Sequence, residues 1–162
     1  IEVTGWYRQS GTAECVDEVW VMFDYQDISE TLKKWKYGGR ENAWQALESG
    51  YRDALSKMSN MENMSIIPVP IGIDRWHERR FNQSDRMSKI VSEVLGLKKY
   101  PYLYRFWSGE HQARLSREGR MKRKTTFWIP PRIRVPKRVI LVDDVISTGT
   151  TVNAAAKYLK SR

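Results

Sequence analysis

One cysteine, Cys15, stands among 162 residues. That scarcity excludes an intramolecular disulfide, and it excludes a cysteine-rich zinc site built within one chain. Cys15 reads as a small, partly buried residue, the usual behaviour of a free thiol. Long apolar runs are missing too, since nothing approaches the ~18 residues that a membrane-spanning helix needs. Ile1 to Ser10 is mixed and polar, without the apolar core of a signal segment, so a cytoplasmic protein with no membrane insertion is expected. His77 and His111 are the 2 histidines; both fall in loop-like stretches, where a lone histidine is more often solvated than catalytic. No G-x-x-x-x-G-K-[ST] loop is present, which excludes a P-loop nucleotide site. No internal repeat, low-complexity segment or convincing linker divides the chain, and its length suits one domain with one sizeable core.

Acidic side chains are in deficit, 19 against 28 basic, for a net charge of +9. That sign favours polyanionic partners, either nucleic acid or a highly charged small molecule. The charge is uneven. Arg114, Arg117, Arg120, Lys122, Arg123 and Lys124 crowd one stretch opposed by Glu118, and Arg132, Arg134, Lys137 and Arg138 follow. With 41% hydrophobic and 29% charged residues, the composition is that of a globular protein.

Val19, Val21 and Phe23 alternate with Trp20, Met22 and Asp24, a pattern that predicts a strand ending near Tyr25. Ile28, Leu32 and Trp35 fall at helical spacing with Asp27 as a cap, and Gly38-Gly39 stops that helix. Trp44, Leu47, Tyr51 and Leu55 mark a second helix that fades near Asn60. Ile66 to Ile71 has strand length, with pairing expected to thin at Pro68. Asn82 caps a third helix whose apolar face is Met87, Ile90, Val91, Val94 and Leu95, ended by Gly96. Tyr102 to Trp107 and Phe127 to Ile129 read as strands around a long, basic, mobile loop at 108–125. Val139 to Val142 is a fully apolar strand, and a last helix runs from Thr150 through Val152, Ala155, Ala156 and Leu159. Strands alternating with helices predict an α/β fold with a mainly parallel sheet.

The stretch Val139-Ile140-Leu141-Val142-Asp143-Asp144-Val145-Ile146-Ser147-Thr148-Gly149-Thr150-Thr151 is the most informative. In open parallel sheets ligands bind beyond the carboxyl ends of the strands, and two adjacent carboxylates sit at that point. Backbone N–H groups of Ser147, Thr148, Gly149, Thr150 and Thr151, at a helix N-terminus, can cradle a phosphate. Gly149 permits close backbone approach, and the neighbouring hydroxyls add donors. Asp143 and Asp144 would repel a phosphate but accept hydrogen bonds from a vicinal diol. Phosphate on one side and diol on the other describe a ribose 5-phosphate.

This stretch resembles the phosphoribosyl-pyrophosphate motif of type I phosphoribosyltransferases. The resemblance implies that Asp143 and Asp144 bind the ribose hydroxyls and that the loop after them binds the 5-phosphate. Other segments resemble the ComF competence-protein family (the ComFC and GntX group): Ile67-Pro68-Val69-Pro70 followed by Arg79-Arg80-Phe81-Asn82-Gln83, Leu32 to Gly39, and Gln112 to Arg120. The expected fold is then type I phosphoribosyltransferase-like, a mainly parallel twisted sheet flanked by helices. Residues 1–18 become an irregular lead-in, the remnant or truncation of the family's four-cysteine zinc module, and 19–162 the phosphoribosyltransferase-like domain. The family continues to another strand past the point matching Arg162, so a fragment truncated at the C-terminus is expected. Two residues depart from the family's pattern: Arg80 stands where it has glycine, and Arg123 where it has asparagine. Both bear on turnover more than on binding.

The implied reaction displaces pyrophosphate from carbon 1 of the ribose, with Mg²⁺ carried largely by the ligand's own oxygens and with Asp143 and Asp144 as secondary participants. Arg79 and Arg80 are expected to face the pyrophosphate, and Arg120 and Lys122 to close over it from the mobile loop. No residue stands out as a general base, and Lys36 has no evident role. Two alternatives remain open. One is a nucleic-acid binding component of a DNA-uptake complex, in which Trp107 and Trp128 stack on single-stranded DNA or pack against other uptake proteins. The other is a sensor that binds phosphoribosyl pyrophosphate without turnover.

Overall fold

Two short apolar runs meet in the centre of the molecule. The computed structural model describes residues 15–38, 41–72, 81–108 and 124–162. Ser65–Pro68 forms strand β1 and Val139–Val142 forms strand β5; they pair in parallel, Ser65 opposite Val139 and Pro68 opposite Val142. Lys98–Lys99 forms β2, parallel to β1 on its other side, so the sheet order is β2-β1-β5. Four helices are described: α1 (Tyr25–Gly38), α2 (Glu41–Ser56), α3 (Gln83–Leu95) and α4 (Thr150–Lys160). A separate antiparallel pair joins β3 (Tyr104–Ser108) to β4 (Lys124–Trp128). The α/β class expected from the sequence is observed.

Alternating side chains send each strand's residues to opposite faces of a sheet, and here both faces are covered. Ile66, Ile140 and Val142 join Leu32, Trp35, Leu47, Leu55 and Ile90 in one cluster, so α1, α2 and α3 cover one face. Ile67 joins Leu103, Phe127, Ile129, Ala155 and Leu159 in a second cluster, with Val139 and Leu141 packed against it, so α4 and the β3–β4 pair cover the other. Ile66, Ile67 and Ile129 are fully buried. A strand covered on both sides reads as an apolar run rather than an alternation, which is why Val139 to Val142 was legible.

Pro68 sits in the central strand, a position where proline usually breaks a ladder. Ser65 and Val69 donate from their backbone toward β5, to Arg138 O and Val142 O, both at 2.9 Å, whereas Ile66 O accepts from Tyr100 N at 2.7 Å on the β2 side. Pro68, like Ile66, therefore faces β2, which has already ended. Its missing N–H removes no bond, and the ladder to β5 runs through Pro68 to Val69.

Helix boundaries follow local chemistry. Asn82 caps α3, its side chain accepting from Ser84 N, and Gly96 ends it at φ 65°, in the left-handed region that suits glycine. For α1 the cap is Asp24, whose Oδ1 accepts from Gln26 N at 2.8 Å, rather than the expected Asp27, which lies in the first turn. The strand expected over Val19 to Phe23 is not formed. Trp20, Met22 and Phe23 instead pack, half-buried, against the α1–α3 cluster, while Val21 is exposed, so burial here does not follow the alternation of a strand. The two-residue β2 was not expected, because lysines are poor strand formers; Lys99 is held by an ion pair to Asp85 at 2.6 Å. The basic loop expected at 108–125 falls mostly on 109–123, outside the described residues. Cys15 is half-buried, as expected. Among the described residues no helix is long and apolar enough to cross a membrane.

Candidate functional site

Because β1 and β5 are parallel neighbours, their carboxyl ends leave the sheet side by side. From β1 the chain reaches α3 on one face, and from β5 it reaches α4 on the other. Adjacent strands whose connections depart to opposite faces leave a crevice between them, the usual ligand position in open α/β sheets. Asp143 and Asp144 are the first residues past β5 at this point.

The β1–α3 unit orients Asp143. Asn82 donates from Nδ2 to Val69 O at 3.2 Å and accepts at Oδ1 from Ser84 N at 3.2 Å, tying the start of α3 to the end of β1. Ser84 is 1% exposed and donates from Oγ to Asp143 Oδ1 at 3.1 Å. The same oxygen accepts from Asp144 N at 2.9 Å. Asp144 forms an ion pair through Oδ2 with Lys36 Nζ, from the last turn of α1. Side chains from α1, α3 and the end of β5 therefore meet in one acid pair.

Burial dominates the electrostatics. Loss of hydration first, and the neighbouring Asp144 charge second, push the Asp143 carboxyl up to about 7 against the opposing bonds from Asp144 N and Ser84. Two close carboxyls share protons rather than ionise independently. Near neutral pH Asp143 is partly protonated, while the Asp144 carboxylate is engaged by Lys36.

The turn that follows is open to solvent. Ser147, Thr148 and Thr150 are exposed, Thr151 is half-buried, and the Thr148 and Thr150 hydroxyls lie 2.8 Å apart. Gly149 is buried at φ 70°, ψ −4° and begins α4 without a side-chain cap; its carbonyl accepts the helical bond from Asn153 N at 2.8 Å. The first N–H groups of a helix have no intrahelical acceptor. The αL turn at Gly149 is a conformation that a residue with a Cβ adopts at a cost.

The structure thus brings Asp143, Asp144 and residues 147–151 together at one strand end. Arg79, Arg80, Arg120, Lys122, Arg123, His77 and His111 lie outside the described residues. Two participants were not assigned from sequence. Ser84 looked like an ordinary first-turn residue behind the Asn82 cap, and Lys36 stood beside Gly38 without a partner in view. Among the described residues, no group of three or more His, Cys, Asp or Glu side chains is placed to hold a metal ion.

Comparison with known proteins finds three curated relatives. The chain is 27% identical over 139 residues to competence protein ComFC of Bacillus subtilis (strain 168), covering 85% of this chain and 56% of that protein. It is 25% identical over 142 residues to competence protein ComFC of Streptococcus pneumoniae, covering 86% and 60%. It is 31% identical over 105 residues to competence protein F of Haemophilus influenzae, covering 59% and 44%. The chain spans about half the length of the curated relatives it matches. No family model matches it, and no solved structure matches it.

The raised Asp143 carboxyl has a stability signature. The folded state holds its proton up to about 7, whereas the unfolded chain releases it near 3.8. Between those values the folded state binds more protons, so stability contributed by Asp143 falls as pH rises and levels off above about 7. The Asp143→Asn variant keeps an oxygen for Ser84 and lacks this titration. Its melting temperature relative to wild type should climb from pH 4 to pH 7; a difference that is flat, or that falls, contradicts the assignment.

Proposed function

The chain belongs to the ComF family, and from that premise we propose that it binds phosphoribosyl pyrophosphate, or another ribose 5-phosphate, at the β5–α4 turn. The observation that carries this reading is the convergence of an acid pair and an uncapped, glycine-led helix start at adjacent parallel strand ends. Hydroxyls of the ribose hydrogen-bond to Asp143 and Asp144, and amides of Ser147 to Thr151 take the 5-phosphate. The surrounding α/β architecture supports a type I phosphoribosyltransferase-like fold. Because the three relatives are named competence proteins, the biological setting we propose is competence, with uptake of DNA.

Turnover would break the bond from carbon 1 of the ribose to the pyrophosphate oxygen, with its electron pair leaving on the pyrophosphate, while an acceptor bonds to carbon 1. Arg79 and Arg80, with Arg120 and Lys122, are the side chains proposed to meet the departing charge. Mg²⁺ keeps several waters and is commonly held by one or two carboxylates plus substrate phosphates. The available donors fit that habit: pyrophosphate oxygens and water would hold the ion, with Asp143 and Asp144 reaching it through water. When bound, it would neutralise negative charge on the leaving group. Arg80 and Arg123, the departures from the family's pattern, make binding without turnover the second outcome for this same site.

Calorimetry with phosphoribosyl pyrophosphate and Mg²⁺ tests the reading. Wild type should bind, and the Asp143→Asn/Asp144→Asn variant should bind at least about tenfold more weakly, equivalent to about 1.4 kcal/mol. Equal affinity of the two proteins, or no binding by wild type, contradicts it. Binding without pyrophosphate release in the presence of nucleobases supports the sensor.

One observation favours a second activity alongside the first. Tyr104, Phe106 and Trp128 share the outer face of the β3–β4 pair and are 42%, 44% and 43% exposed. Trp128 lies 5.6 Å from Tyr104 and 6.5 Å from Phe106, ring centre to ring centre, while Phe127 and Ile129 turn inward to the core. An exposed aromatic face on a chain of net charge +9 suits stacking on single-stranded DNA. The Trp107 side chain, expected to share this role, lies outside the described residues. Fluorescence titration should show single-stranded DNA binding that weakens steeply with salt, and Tyr104→Ala/Trp128→Ala should reduce it by tenfold or more with little change in melting temperature. Undiminished binding by that variant removes the aromatic face from the account.

A further inference from the structure

We propose that Lys36 is a positioning residue of the ribose-phosphate site: it fixes the Asp144 carboxylate and cancels its charge, so that an anionic ligand can settle beside the acid pair. The inference rests on the ribose 5-phosphate reading above and assigns a residue to that site from outside its strand–turn–helix segment.

The Lys36–Asp144 pair is unlike the surface pairs. Its side chains are 11% and 14% exposed. By contrast, Lys99–Asp85 are 20% and 39% exposed, and Arg52–Glu93 are 40% and 59%. A lysine that gives up this much hydration requires a partner, and the partner here is a carboxylate just past the carboxyl end of β5. The position of Lys36 is not left to a flexible tether. Trp35, the preceding residue, is 1% exposed; it stacks on Trp44 of α2 at 4.4 Å and meets Phe81, which leads into α3, at 5.7 Å. The last turn of α1 is thus clamped to α2 and to the entry of α3, the helix that also carries Ser84.

Charge decides what the pair accomplishes. A sugar phosphate brings negative charge to residues 147–151, a few positions from two carboxyls. Ser84 and the Asp144 amide supply neutral hydrogen bonds to Asp143, which orient it without offsetting charge. Lys36 supplies the opposite charge to Asp144. The ammonium holds Asp144 from α1 and Ser84 holds Asp143 from α3, so the two carboxyls are anchored from different elements.

A strut that merely ties α1 to the β5 loop would alter stability and leave ligand affinity unchanged, which separates the two roles. The test measures binding of ribose 5-phosphate by calorimetry to wild type, Lys36→Met, Lys36→Arg, Asp144→Asn and Lys36→Met/Asp144→Asn, with melting temperatures beside each. The expected results are a loss of tenfold or more in Lys36→Met, affinity within about threefold of wild type in Lys36→Arg, and partial recovery in the double variant, where position 144 no longer carries an uncompensated charge. Should Lys36→Met not fold, Lys36→Gln replaces it with the same expected loss and the same recovery. Wild-type binding with undiminished affinity in Lys36→Met, or a double variant no better than Lys36→Met, overturns this proposal alone. Failure of wild type to bind either ribose 5-phosphate or phosphoribosyl pyrophosphate overturns the site reading, and this inference with it.

Discussion

Parallel pairing of β1 with β5 is the constraint on which the arrangement depends. In register from Ser65–Val139 to Pro68–Val142, the two strands finish on one edge, and the helices that follow them lie on opposite faces. An antiparallel partner would have put Val69 and Asp143 at opposite edges. With the parallel register, Asn82 can cap α3 while gripping the end of β1, and Ser84 can reach Asp143. The position of the acid pair is thus a consequence of strand direction.

Two carboxyls placed at a poorly hydrated strand end are unfavourable unless their charge is shared or balanced. The fold uses both means. Burial and mutual repulsion favour a proton on Asp143, while Lys36 pairs with Asp144. Ionisable groups held out of water in this way are characteristic of functional sites. The neighbouring turn narrows the choice of ligand. Exposed Ser147, Thr148 and Thr150, with Gly149 in the left-handed region, offer donors where the carboxyls offer acceptors.

Much of this was legible in the residues. Val139 to Val142 announced a strand because both faces are covered, and Asn82 and Gly96 announced the ends of α3 because their side chains, or the lack of one, suit those backbone angles. The family resemblance carried by Ile67 to Pro70, Arg79 to Gln83 and Leu32 to Gly39 agrees with the three relatives. What was not legible depends on distance in sequence. Nothing local to Lys36 points to Asp144, and nothing local to Ser84 points to Asp143, 59 positions away. The misplaced strand at Val19 to Phe23 has the same origin. The alternating pattern there matches neither a ladder nor the burial, since Met22 and Phe23 both pack and Val21 is exposed; contacts distant in sequence decide which side chains are covered.

The central claim is that main-chain amides of the β5–α4 turn hold a phosphate while Asp143 and Asp144 hold the sugar. Amide-resolved nuclear magnetic resonance during titration with ribose 5-phosphate addresses it most directly. The account predicts that the largest shifts fall on the amides of residues 147–151 and on Asp144, saturating together. Shifts that leave this turn unmoved and gather instead on β3 and β4 would contradict it.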